Sequence, residues 1–168
     1  AHVCIQLSTY VDQIGKCRFN STDFFSTSHI DQSLVRCPDQ PSSDQMIALI
    51  EETKEEGDTL GGAIRGVIHG VPAGLGEPVF DKLHAELGKA MLSINAVKGV
   101  EFGSGFDAIE MTGSKHNDSF TEDFNTTTNH SGGIQGGISN GMPITYRLAF
   151  KPVATIMQAQ ETINAAGE

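Results

Sequence analysis

Asn129-His130-Ser131-Gly132-Gly133-Ile134-Gln135-Gly136-Gly137-Ile138-Ser139-Asn140-Gly141 leads through Met142-Pro143 into Ile144-Thr145-Tyr146-Arg147-Leu148-Ala149-Phe150-Lys151. Two glycine pairs, each followed by isoleucine, remove side chains where a backbone must turn tightly or approach something closely. Ile144, Tyr146, Leu148 and Phe150 then alternate with Thr145, Arg147, Ala149 and Lys151, the two-residue period of a half-buried strand. Asn140-Gly141 has the chemistry of a tight turn. The stretch therefore predicts a hairpin whose glycine-rich arm faces a ligand or another backbone. A flexible surface loop has the same composition and stays open as the alternative.

Outward from this stretch, the chain breaks into short periodic segments. Residues 1–16 alternate loosely, with Val3, Ile5 and Leu7 on one face of a strand. Residues 17–41 are irregular and rich in Ser, Thr and Asp. Ser42-Ser43-Asp44-Gln45 reads as a capping box with Ser42 as the cap, and Met46, Ile47, Leu49 and Ile50 give a helical stripe ending near Gly57. Leu60 to Val71 is a glycine-interrupted strand. Pro78 suits a first helical position, and Leu83, Leu87, Ala90, Met91 and Ile94 recur behind it, so the spacing predicts a helix over Val79–Ile94. Glu77 and Asp81 then favour the helix dipole rather than catalysis. Val97 to Phe102 returns as a strand, a short helix runs from Phe106 to Thr112, and residues 113–131 form a long polar loop. This order predicts one α+β domain with mostly antiparallel pairing.

The composition narrows the function. A net charge of -10 argues against nucleic acid, whose binders concentrate Lys and Arg. No apolar run approaches the roughly 20 residues of a membrane helix, and no signal-peptide pattern opens the sequence. Cys4, Cys17 and Cys37 are an odd number without a Cys-x-x-Cys spacing, which reads as reduced thiols in a cytoplasmic protein. The histidines are dispersed, so no metal site is expected. Arg18, Arg36, Arg65 and Arg147 are scattered along the chain, an awkward supply for an anionic substrate that wants converging guanidiniums. Four Asn-x-Ser/Thr patterns, at Asn20, Asn117, Asn125 and Asn129, are discounted as chance matches.

Three motifs add a resemblance. They are Gly70-Val71-Pro72-Ala73-Gly74-Leu75-Gly76-Glu77-Pro78-Val79-Phe80-Asp81, then Ser93-Ile94-Asn95-Ala96-Val97-Lys98-Gly99-Val100-Glu101-Phe102-Gly103, and then the glycine segment through Lys151-Pro152-Val153-Ala154-Thr155. Gly113-Ser114 and Asn117-Asp118 fall between the last two. In order and spacing this resembles the chorismate synthase family, densely over residues 57–156 and thinly before. The family's Gly-Glu-Ser-His-Gly motif, its arginine-rich segment ending Ser-Ala-Arg-Glu-Thr and its Arg-His-Asp-Pro segment have no counterpart here. The chain is thus expected to be an internal segment of a larger enzyme, inactive by itself.

The resemblance implies a layered sandwich of sheets enclosing helices, assembled as a homotetramer. It also implies a reaction, the 1,4-elimination of phosphate from 5-enolpyruvylshikimate 3-phosphate, with reduced FMN required but not consumed. A non-catalytic structural or oligomerisation module of the same fold is the competing expectation. Position by position, Asn95, Ala96 and Gly136 match the family's flavin contacts, and Lys151, Pro152, Val153, Ala154 and Thr155 match the segment wrapping the cofactor. Each has a plainer reading. Asn95 suits a helix terminus, Gly136 a turn or bulge, and Lys151 a solvated strand end. Val153 and Ala154 depart from a commoner Thr and Ser, leaving Thr155 as the hydroxyl of the run. No catalytic residue is assigned: His130 is read as structural, and His116 and Asp118 as solvated loop residues.

Overall fold

The computed structural model describes residues 4–167. Its frame is an antiparallel sheet of five strands, built from β1 (Gln6–Ile14), β2 (Cys17–Arg18), β3 (Gly62–His69), β4 (Val97–Phe102) and β7 (Ile144–Phe150) in the order β2-β1-β3-β7-β4. The helices are α1 (Thr27–Ile30), α2 (Gln40–Glu55), α3 (Leu83–Leu92) and α4 (Gly113–His116), with a 3-10 turn over Gly105–Glu110. A small hairpin, β5 (Ile134–Gln135) and β6 (Ile138–Ser139), stands apart from the sheet. The expected α+β class with antiparallel pairing holds.

The central strand β7 is why the sheet exists. Its apolar face, Ile144, Tyr146 and Leu148, is buried beneath α3 with Met91, Leu87 and Ile68. Each such side chain contributes about 1.5–3 kcal/mol on leaving water. Gly66 of β3 lies opposite Tyr146, whose ring occupies the space a Cβ would need, so the glycine in β3 serves packing. The other face of β7 is covered as well: Thr145 is buried and Arg147 largely so, against Tyr10, Val67 and the 17–41 excursion. Ser8 fixes that excursion by donating to Phe25 O at 2.8 Å, and Tyr10 does so by donating to Ser21 O at 2.8 Å.

Four local expectations are corrected. Ile5 and Leu7 of β1 are 54% and 58% exposed, whereas Ser8, Tyr10 and Asp12 are buried. The apolar face of β1 shares the α3 side of the sheet, but α3 seats over β4, β7 and β3 and leaves it open. Val3 lies outside the described residues. Helix α2 is capped by Asp39, not Ser42: Asp39 Oδ2 accepts the Ser42 amide at 2.9 Å and its hydroxyl at 2.6 Å, and Pro41 is tolerated in the first turn. Helix α3 starts at Leu83 instead of Val79. The Leu83 amide donates to Gly137 O at 2.8 Å, and Glu77 N to Asp81 O at 2.9 Å, so tertiary pairing outweighs the Pro78 preference. Finally, the hairpin turns at Gly136-Gly137, and Asn140-Gly141 only leads into β7, which pairs with β3 and β4.

Candidate functional site

The residues matched to flavin contacts fall in two places. Asn95 and Ala96 lie between α3 and β4, and Lys151 follows β7, which is hydrogen-bonded to β4 along its length. The Lys151 amide donates to Ala96 O at 3.0 Å, binding the two segments side by side. Ala96 holds φ at +69°, a conformation that strains a residue bearing a Cβ and that concentrates at functional positions. Asn95 and the run Lys151, Pro152, Val153, Ala154 and Thr155 are exposed. The strand end is pinned from below by Thr59, whose hydroxyl donates to Val153 O at 2.6 Å, and by Met157 N donating to Gly57 O at 2.9 Å. This platform suits a ligand that takes backbone and amide contacts plus one lysine cation.

Gly136 sits elsewhere. It is next to Gly137, whose carbonyl holds the first residue of α3, while Asn95 follows the last; the ten residues of α3 separate the two ends by about 15 Å. A Cβ on Gly136 would meet nothing within 4 Å, and φ is +60°. It is a bare turn tip with room for another group beside it. Gly132 and Gly133 of the segment, and Gly103 beside them, are closed against backbone. A Cβ on Gly132 would lie 2.7 Å from Gly103 Cα, one on Gly133 2.6 Å from Pro143 O, and one on Gly103 against His130 O.

Asp118 holds this segment in place and is no solvated loop residue: it is 3% exposed. Its Oδ1 accepts from the Thr128 hydroxyl at 2.7 Å and from His130 N at 2.8 Å, and its Oδ2 from Ser131 N at 2.9 Å. Burial works to raise its pKa, but the Thr128 hydroxyl and the Ser131 and His130 amides outweigh it and bring the carboxyl down to about 2. His130 bonds Ser104 Oγ through Nδ1 at 3.0 Å while its ring lies 5.6 Å from that of His116. Glu77 and Asp81 are exposed on the loop before α3, away from its first turn.

The sheet face opposite α3 carries chemistry that the linear pattern concealed. Strand register aligns Tyr10, Arg65, Arg147 and Glu101 across β1, β3, β7 and β4. A bulge between Val11 and Gln13 turns Asp12 under them, with Oδ2 2.7 Å from Arg147 Nε and 3.4 Å from Arg65 Nη2. Arg147 also reaches Glu101 at 3.5 Å. Arg65 and Arg147 thus converge with their counter-ions, and Arg18 joins Arg65 in lining a cavity of about 380 Å3, whereas Arg36 pairs separately with Asp31. Among the described residues there is no cluster of three metal-ligating side chains and no helix long and apolar enough to cross a membrane.

Comparison with known proteins gives a consistent match. The family model "Chorismate synthase" matches residues 1–168. The chorismate synthase of Christiangramia forsetii is 56% identical over 98% of this chain and 47% of its own length. That of Cytophaga hutchinsonii is 56% identical over 100% of this chain and 48% of its own. A crystal structure of chorismate synthase superposes with a TM-score of 0.79 at 32% identity, covering 89% of this chain and 50% of that one. The chain spans about half the length of the curated relatives it matches.

Proposed function

The chain belongs to the chorismate synthase family, and on that premise we propose that it forms the flavin-platform half of such an enzyme, working as one domain of a longer polypeptide. The reaction is the elimination of phosphate from 5-enolpyruvylshikimate 3-phosphate to give chorismate, the last step of the shikimate pathway towards the aromatic amino acids. A homotetramer in the cytoplasm is the proposed setting, and the three free cysteines favour the reducing compartment. Reduced FMN, when bound, supplies the electron-rich partner that the 1,4-elimination requires without being consumed.

One observation carries the reading: the Lys151 N to Ala96 O bond joins two segments, distant in sequence, into one exposed platform. On it the Asn95 amide offers a donor and an acceptor, and Thr155 offers the hydroxyl that Val153 and Ala154 lack. The Lys151 ammonium places a cation where an anionic reduced ring or a phosphate gains from it. For Gly136 the separation along α3 requires an extended cofactor or a neighbouring copy. Anaerobic titration of the purified chain with oxidised and dithionite-reduced FMN tests this, followed by flavin absorbance and fluorescence. Saturable binding that weakens in Lys151→Ala supports the platform. No binding by a folded chain assigns the contacts to residues outside these 168.

A second reading, a structural or oligomerisation module, has its own observation. Besides the open strip of Ile5 and Leu7, there is a groove of about 570 Å3 lined by Val11, Ile14, Ile50, Leu60 and Phe150. Exposed apolar surface of this kind marks a protein contact. Concentration-dependent assembly of the chain without flavin favours this reading.

A further inference from the structure

We propose that the cavity on the polar side of the sheet is a separate binding site for a small oxyanion, a carboxylate or a phosphate, held between Arg65 and Arg18. It lies on the face opposite α3, lined by the buried Arg65, by Arg18, Asn20 and Thr22, and by Ser104 and His130. Apart from Gly103, every lining residue carries a polar or charged side chain, and none is a wholly hydrocarbon one.

The case rests on an unbalanced guanidinium. Arg65 and Arg147 are direct cross-strand partners, and like charges so placed repel. Both nearby carboxylates lean towards Arg147: Asp12 is 2.7 Å from it and 3.4 Å from Arg65, and Glu101 reaches Arg147. Glu101 further accepts the Phe106 amide at 3.3 Å. Arg65, with its side chain 7% exposed, is left with a single long ionic contact, and its Nε has no hydrogen-bond partner. A buried cation short of its counter-ion is unfavourable. Arg18 has no carboxylate within 4.0 Å among the described residues and borders the same space. Two guanidiniums with unused donors around one cavity are the arrangement that takes an oxyanion by charge-assisted, paired hydrogen bonds. Thr22 and Asn20 add neutral donors to the lining. Glu101 and Asp107, also on the lining, disfavour bulky polyanions and select a small ligand.

Isothermal titration of the folded chain with inorganic phosphate, and separately with malonate, at constant ionic strength tests the site. The expected result is one-site saturation with Kd near about 1 mM or below for at least one probe, and the better probe identifies the class. Arg18 is at the rim, so Arg18→Ala keeps the fold and weakens binding about tenfold. Arg65 is followed in the unaltered protein, where its Nε–H resonance shifts on titration and saturates with the same midpoint. This readout also separates the site from the flavin platform, because Lys151→Ala leaves it unchanged. Absence of saturation with either probe, equal affinity in Arg18→Ala, or an unmoved Arg65 signal overturns the proposal.

Discussion

Asp12 and Arg147, 135 positions apart in sequence, meet at 2.7 Å beneath the sheet because a β-bulge turns the Asp12 carboxylate out of the β1 ladder. Asp12 is fully buried and, among the described residues, the only carboxylate in contact with both arginines. Removing it leaves two guanidiniums facing each other in low dielectric, so Asp12→Ala should cost about 3–5 kcal/mol of stability. Replacing Asp12, Arg65 and Arg147 together with apolar residues of matching volume should cost less, because the one charge then left without its partner, Glu101, is partly exposed and still accepts the Phe106 amide. Urea midpoints of the single and triple variants decide the matter. A mild Asp12→Ala would mean that water already screens the cluster.

The glycines in and against the 129–141 segment divide into two classes that a mutant pair separates. Gly103 is at φ +56° with its Cβ position on the His130 carbonyl, so Gly103→Ala must push two backbones apart and should destabilise by several kcal/mol. Gly136 is at φ +60° in open space, so Gly136→Ala should cost only about 1 kcal/mol, the penalty for a Cβ at positive φ. If flavin reaches this turn, Gly136→Ala will weaken FMN binding more than it lowers the thermal midpoint. Equal and small effects on both would make Gly136 a turn residue only.

How much of this was visible in the sequence depends on the range of the interaction that decides each element. The face of β7 was legible because Ile144, Tyr146 and Leu148 carry a period set by the strand itself. The body of α3 was legible through Leu83, Leu87 and Met91 for the same reason. The start of α3 was not, since the Leu83 bond to Gly137 joins residues far apart in the chain. Strand β1 read inside out because its buried positions are Ser8, Tyr10 and Asp12, polar groups whose partners Phe25, Ser21 and Arg147 are supplied by other segments. The arginine cluster needed the β3–β7 register, which no local pattern reports. The Asn95, Ala96 and Lys151 group came from family resemblance, and the Lys151 to Ala96 bond places its members together.

Asp118 should confer an acid sensitivity on the loop it anchors. Its carboxyl is held at about 2, below the ordinary value near 3.9, so the folded state binds fewer protons than the unfolded one between these values. The contribution is therefore complete above about pH 4 and is lost as pH falls towards 2. In Asp118→Asn the amide turns a donor towards the Ser131 or His130 N–H, and the 118–131 contacts loosen at neutral pH by about 1–3 kcal/mol. Amide exchange at His130 and Ser131 between about pH 4.5 and 2 reports this directly. Protection that stays level in the parent and in Asp118→Asn alike would refute it.

At the opposite end of the pH scale, Tyr10 limits the sheet. Burial pushes its phenol up to about 12, against pulls downward from Arg65 and from the Ser21 hydrogen bond and smaller upward pushes from Asp12 and Asp23. In the unfolded chain the phenol ionises near 10, so above that pH the unfolded state loses the proton first. The folded state then binds more protons than the unfolded, and stability falls with rising pH; the contribution is full below about pH 10 and lost towards pH 12. The slope amounts to roughly 2–3 kcal/mol over the window. Lysines also titrate there, so the informative quantity is the difference from Tyr10→Phe, which keeps the ring contacts with Phe19 and Phe25 but has nothing to ionise. The variant should be about 1 kcal/mol weaker at neutral pH, for the lost bond to Ser21 O, and should become the more stable protein above about pH 11. Parallel urea midpoints from pH 8 to 11.5, without a crossing, would show that the phenol reaches water before the sheet opens.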